Sequence, residues 1–255
     1  MSESLAGRVG IVRLLGLSNS EINGVPSVPF STDPQQLLSR ADAMPKLSLD
    51  EIYRHIHQGS MPALYGELPP EREQFYSAYV NTYLQRDIKD LTQVADELSF
   101  FNFMTTVAAR TARPVVYDEI AKDAGISPPT AKKWLSILVS SGVAALVQPY
   151  HNNALKRAVK MPLLHMLDTG LCAYLLKWSS AETLETGAMS GAFFKSWVFS
   201  EIYKSYLNDG KEPPLYYYRD KDRREIDLIL GAVICMASDL LPLDRKNWFV
   251  PAWAV

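Results

Sequence analysis

The sequence predicts an α+β chain that is mainly α, and three observations carry that expectation. From Asp33 to Phe101 apolar residues recur at helical spacing, as Leu47, Ile52 and Ile56 and then Phe75, Tyr79, Tyr83 and Leu84. Between Val115 and Val139 two amphipathic segments flank the turn-like Gly125-Ile126-Ser127. Strand-length runs are few and short, at Val9–Leu15, Val143–Val147, Leu215–Arg219 and Arg223–Leu230.

Composition narrows the functional classes. A length of 255 residues suits one large or two modest domains, and 47% hydrophobic with 21% charged residues excludes wholesale disorder. With 28 acidic against 26 basic side chains the net charge is −2, which excludes a polybasic protein while leaving room for a local basic patch. Cys172 and Cys235 form no CxxC, which argues against a disulfide framework or zinc cluster and fits a reducing cytoplasm. The longest apolar run, Leu228 to Ala237, is too short for a bilayer, and Met1 to Arg8 lacks signal-peptide architecture, so no membrane partner is expected. No GxxxxGK[ST] occurs, so no ATP site is expected in this chain.

Taken in order, Val9–Leu15 reads as a lone strand, and Ser18 with Glu21 three positions on reads as a helix start. Asn23 to Asp33, with Gly24, Pro26 and Pro29, reads as a loop. In the helical region that follows, His55 and His57 are two apart and point to different sides of a helix. Solvated or capping roles suit them better than a metal pair. Tyr76, Tyr79 and Tyr83 form a stripe that reads as core packing, with ligand stacking as the alternative.

The clearest local architecture runs from Phe103 to Lys160. Val115 to Asp123 is amphipathic, Gly125 can take the left-handed conformation that ends a helix, Ser127 is a good N-cap, and Pro128 suits the first helical position. Ala131, Trp134, Leu135, Leu138 and Val139 then make one buried stripe, with Thr130, Lys132, Lys133 and Ser136 largely off it. Two helices joined by a three-residue turn match a helix-turn-helix, and Val143–Val147 with a return at Leu155–Lys160 matches a wing. From Ala124 to Leu167 there is no Asp or Glu against five Lys/Arg. Cations of this kind displace counterions from nucleic acid, so Thr130, Lys132 and Lys133 would approach a groove of double-stranded DNA and Lys156, Arg157 and Lys160 would hold phosphates. The alternative is protein or intramolecular docking.

Several blocks in register resemble one family: Ser4-Leu-Ala-Gly-Arg8 with Leu17-Ser18, Tyr83 to Ile88, Ser127 to Leu138, Lys156-Arg157, Leu167 to Leu171, Tyr218-Arg219-Asp220 and Glu225-Ile226-Asp227. Over residues 4 to about 230 the chain is similar to bacterial and archaeal proteins in which an AAA-type P-loop ATPase precedes a C-terminal domain of unknown function. The resemblance implies a DNA-associated protein whose nucleotide site is missing here. It also implies that Val9–Leu15 is the last strand of an ATPase sheet. On that footing the expected parts are 1–33, an ATPase remnant and linker; 34–100, a helical region; 101–178, a winged helix-turn-helix; and 179–255, a restriction-endonuclease-like α/β module.

Chemistry of that nuclease class requires carboxylates holding Mg²⁺ and a nearby Lys to activate water. The candidates are Glu201 on the apolar-rich helix that begins near Gly191, Asp227 at the start of a strand, and Asp244 with Lys246 as a D-x-K; Asp227 and Asp244 would be the metal ligands. The D-x-K stands 17 residues after Asp227, and the segment after Leu230 departs from the family, as a shifted reading frame would make it. Solvated charge beside Arg223 and Arg224 is the alternative for Glu225 and Asp227, and Asp168 reads as a helix cap. The leading expectation is a non-catalytic DNA-binding portion of an AAA-type ATPase. A Mg²⁺-dependent nuclease and a docking module without nucleic acid are the alternatives. Self-association or contact with an ATPase domain is compatible with each.

Overall fold

The computed structural model describes residues 13–83, 97–150 and 161–219 and, beyond them, 225–226, 233–235, 239–242 and 248–255. The architecture is α+β. The described helices are α1 (Asn19–Ile22), α2 (Pro34–Ala43), α3 (Leu49–Gln58), α4 (Arg72–Tyr83), α5 (Glu97–Ala108), α6 (Tyr117–Ala124), α7 (Pro128–Ser140), α8 (Thr169–Leu175), α9 (Ala181–Glu185) and α10 (Ser190–Asn208). No described helix is long and apolar enough to cross a membrane.

Local chemistry sets the helix ends. Ser18 and Glu21 form a reciprocal capping box at α1, and Ser48 with Glu51 forms another at α3. Asp33 caps α2 ahead of Pro34. The expected turn between α6 and α7 is present: Gly125 ends α6 at φ 69°, a region open to glycine at little cost, and Ser127 accepts from Thr130 N to start α7. The expected strand at Val9–Leu15 does not reach through its last three residues. Residues 13–15 lie in no strand, Leu14 is 91% exposed, and Leu17 N instead donates to Ser60 O.

Strands β1 (Arg113–Pro114), β2 (Ala144–Pro149), β3 (Leu163–Met166), β4 (Tyr216–Arg219) and β5 (Glu225–Ile226) form one mixed sheet in the order β1-β3-β2-β4-β5. The hairpin partner of β2 is β3, in antiparallel register from Ala144↔Met166 to Val147↔Leu163; the return expected at Leu155–Lys160 lies outside the described residues. On its other edge β2 pairs in parallel with β4, so strands on both sides of residue 179 share one sheet. A second sheet, β6 (Val233–Cys235), β8 (Trp248–Pro251) and β7 (Leu241–Pro242), closes the C-terminal part. One apolar core runs through the helices and the five-stranded sheet. Within it Trp134 of α7 meets Phe100 and Phe103 of α5 at ring-centroid distances of 5.0 and 5.5 Å, tilted or edge-on as aromatic quadrupoles prefer. These contacts fix the inner face of α7 and leave its outer face to solvent.

Candidate functional site

The outer face of α7 begins at its capped first turn. Lys132, Lys133 and Ser136 are exposed and Thr130 is half-buried, its hydroxyl hydrogen-bonded to Ser127 Oγ at 2.8 Å. On the inner face Ala131, Trp134, Leu135, Ile137 and Leu138 are buried, so the helix cannot rotate without breaking the core. Helix α6 has a different character. Asp118 and Glu119 open it, and Arg110 pairs with Asp123 at 2.5 Å while lying 3.9 Å from Glu119. Two cations project from α7, and the acids of α6 are partly satisfied from behind. Lys156, Arg157 and Lys160, expected to grip phosphates, lie outside the described residues.

Glu201 sits elsewhere, on α10, and is only 3% exposed. Its Oε2 accepts from Asn19 N at 2.6 Å and its Oε1 from Lys204 Nζ at 3.0 Å. Lys204, 1% exposed, also donates to Leu17 O at 2.9 Å. The pair therefore holds the backbone of residues 17–19 against α10, and both carboxylate oxygens are engaged. Asp227, Asp244 and Lys246, which completed the expected nuclease set, lie outside the described residues. Among the described residues no cluster of three or more His, Cys, Asp or Glu could hold a metal.

The same hydrogen-bond chain continues inward. Leu17 N donates to Ser60 O at 2.7 Å, and Ser60 N and Oγ both donate to Asp168 Oδ2, at 2.7 and 2.8 Å. The other oxygen of Asp168 accepts from Tyr76 OH at 2.8 Å and from Leu171 N, the cap bond of α8, at 2.5 Å. Asp168 is thus a helix cap, and it also joins the loop after α3 to α4 and α8. The close approach at Gly170 makes this possible, because an added Cβ there would lie 2.3 Å from Tyr76 OH and 2.5 Å from Gln58 O. Burial and the Asp168 charge push the Tyr76 phenol far above its usual range, so it stays protonated and donates to Asp168.

The two histidines part company as their spacing implied. His57 Nε2 lies 3.0 Å from Trp178 O. His55 lines a cavity of about 10 Å³ with Asn19, Ser60, Glu201 and Lys204, and its Nδ1 has no partner among the described residues. Burial lowers the His55 pKa, with Glu201 opposing. Of the tyrosine stripe, Tyr76 and Tyr83 are buried and Tyr79 stacks on Tyr83 at 6.2 Å, which makes it core. Sequence reasoning missed Lys204 as the partner of Glu201, although a Glu–Lys pair at i,i+3 on an apolar helix is a readable signal. It also missed Asn19 and Ser60, whose roles depend on distant backbone.

Comparison with known proteins gives two family matches. A domain of unknown function, DUF8612, matches residues 49–182, and a second, DUF4143, matches residues 190–247. Uncharacterized proteins of Mycobacterium bovis and Mycobacterium tuberculosis are each 25% identical over 227 residues, covering 89% of this chain and 45% of their own length. The chain therefore spans less than half the length of these relatives. No solved structure matches.

Proposed function

The chain belongs to the DUF8612 family, and from that premise we propose that it binds double-stranded DNA, without cutting it, as the DNA-engaging portion of an AAA-type ATPase. In this reading α6, α7, β2 and β3 form a winged helix-turn-helix, and the residues after 179 form a restriction-endonuclease-like module in a structural role. The setting is cytoplasmic. The observation that carries the proposal is the rigidly seated outer face of α7. It offers Lys132 and Lys133 just beyond a capped N-terminus, inside a stretch with no acid from Ala124 to Leu167. Phosphate neutralisation needs such a patch, and a helix N-terminus adds a favourable dipole.

The geometry at Glu201 favours binding over cleavage. Glu201 is buried, with Oε2 accepting from Asn19 N and Oε1 from Lys204 Nζ, so this carboxylate is engaged in holding the chain together rather than presented to a solvent-borne metal. The test is fluorescence anisotropy with a labelled duplex, run beside a gel assay of the same duplex with Mg²⁺. Binding without cleavage is expected. Cleavage abolished by Asp227→Ala would establish the nuclease alternative, and neither activity would leave docking.

A further inference from the structure

The sheet carries a second surface that α7 does not use. In the parallel pairing of β2 with β4, Gln148 stands opposite Tyr216 and Pro149 opposite Tyr217. Tyr150 continues that register, its N donating to Tyr217 O at 2.6 Å. Alternation along a strand then separates the faces. Pro149 and Tyr217 are buried, whereas Gln148, Tyr150 and Tyr218 are exposed and Tyr216 is half-buried on their side. The rings of Tyr150 and Tyr216 meet edge-on at 6.0 Å. Tyr150 and Tyr218, 43% and 39% exposed, are the two aromatic residues among the exposed large apolar side chains of the described structure. Both fall on this one face.

We propose that Tyr150, Tyr216 and Tyr218 form a stacking platform for the unpaired bases of single-stranded DNA. Two observations choose this occupant over an apolar partner. First, β2 and both its flanks lie inside the acid-free stretch, where Lys156, Arg157 and Lys160 follow Tyr150 in sequence and favour a polyanion. Second, the aromatics on this face are tyrosines in a row, with half-buried Tyr216 and exposed Tyr218 two residues apart, a separation of ~6.6 Å. That interval is wider than the base spacing of a stacked duplex and suits splayed bases resting on ring faces. Gln148, on the same face, adds an amide that can meet a base edge. The platform stands on β2 and β4 and does not depend on the duplex reading of α7.

The experiment measures anisotropy of labelled oligodeoxythymidylate and of a labelled duplex with the full chain, at low salt. Wild type is expected to bind the single strand. Y150A/Y218A is expected to lose ~10-fold or more of that affinity, since base–aromatic stacking is lost from two rings. Duplex affinity should stay within about twofold, and K132A/K133A should show the reverse pattern. Y150F/Y218F keeps the ring faces and should bind the single strand as wild type does. Absence of single-strand binding by wild type would overturn the proposal. So would unchanged affinity in Y150A/Y218A, or equal loss of both ligands by that variant with an unaltered circular-dichroism spectrum. If Y150A/Y218A does not fold, Y218A alone against Y218F gives the same comparison at one exposed position. Failure of the duplex reading would show separately, as duplex affinity indifferent to K132A/K133A.

Discussion

Asp168→Asn tests whether the buried hydrogen-bond chain holds the helices together. The carboxylate accepts four donors, two on each oxygen: Tyr76 OH and Leu171 N on Oδ1, Ser60 N and Oγ on Oδ2. An amide keeps the shape but turns one oxygen into an NH₂ group that faces two donors. Hydrogen bonds to a charged group contribute about 1.5–3 kcal/mol each, so losing two would cost about 3–6 kcal/mol in a rigid site. Relief is available, because Tyr76 OH also lies 3.0 Å from Gln58 O and the Ser60 hydroxyl can rotate. The expected destabilisation is therefore about 3 kcal/mol, a fall in Tm of roughly 6–12 °C for a chain of this size. Urea and thermal unfolding followed by circular dichroism would measure it. An Asp168→Asn variant within about 0.5 kcal/mol of wild type would refute the reasoning, because surface substitutions do as much.

Three further outcomes follow from the same geometry. Gly170→Ala places a Cβ against the Gln58 carbonyl and the Gly59 backbone, neither of which can swing aside, and should cost about 1–3 kcal/mol in the same unfolding assay. Glu201→Gln leaves the Lys204 ammonium buried without its counter-charge and should cost about 3–5 kcal/mol, whereas the double variant with Lys204→Met should recover part of that loss; a double variant worse than both singles would contradict the pairing. His165 is fully enclosed, stacked on Phe199 and 3.1 Å from Ser196 Oγ, and burial holds its pKa down at about 3. The unfolded chain protonates this imidazole near its ordinary value of ~6.5, so between those two values the unfolded state binds more protons than the folded state. His165 should then lower stability as pH falls through that window, by up to about 1.4 kcal/mol per pH unit. A His165→Phe variant should show a flatter unfolding free energy across it.

What was legible in the sequence was what a few adjacent residues decide. Ser18 with Glu21, Ser127 with Pro128, Gly125 and Asp168 each declared a helix end, because a cap is a bond between neighbours. The buried stripe of α7 and the strand after it were equally local. The Ser48–Glu51 capping box carried the same kind of signal and was open to the same reading. The parallel pairing of β2 with β4 was not legible, since no pattern within either strand names a partner about seventy residues away. For the same reason Glu201 reads from sequence as a candidate nuclease carboxylate. Its partner, Asn19 N, is 182 residues distant, and a backbone donor leaves no mark on residue type. The stretch free of acids was visible as composition, and only the fold divides it into an outer helix face and a strand whose following residue, Tyr150, meets Tyr216 of β4.

The most direct test of the central claim, that the outer face of α7 engages DNA phosphates, is the salt dependence of duplex binding for wild type and for Lys132→Ala plus Lys133→Ala. Each neutralised phosphate contributes ~0.9 to the slope of log affinity against log salt. The double variant should bind more weakly at low salt, with a slope shallower by about 2. Equal affinities and parallel slopes for the two proteins would contradict the account.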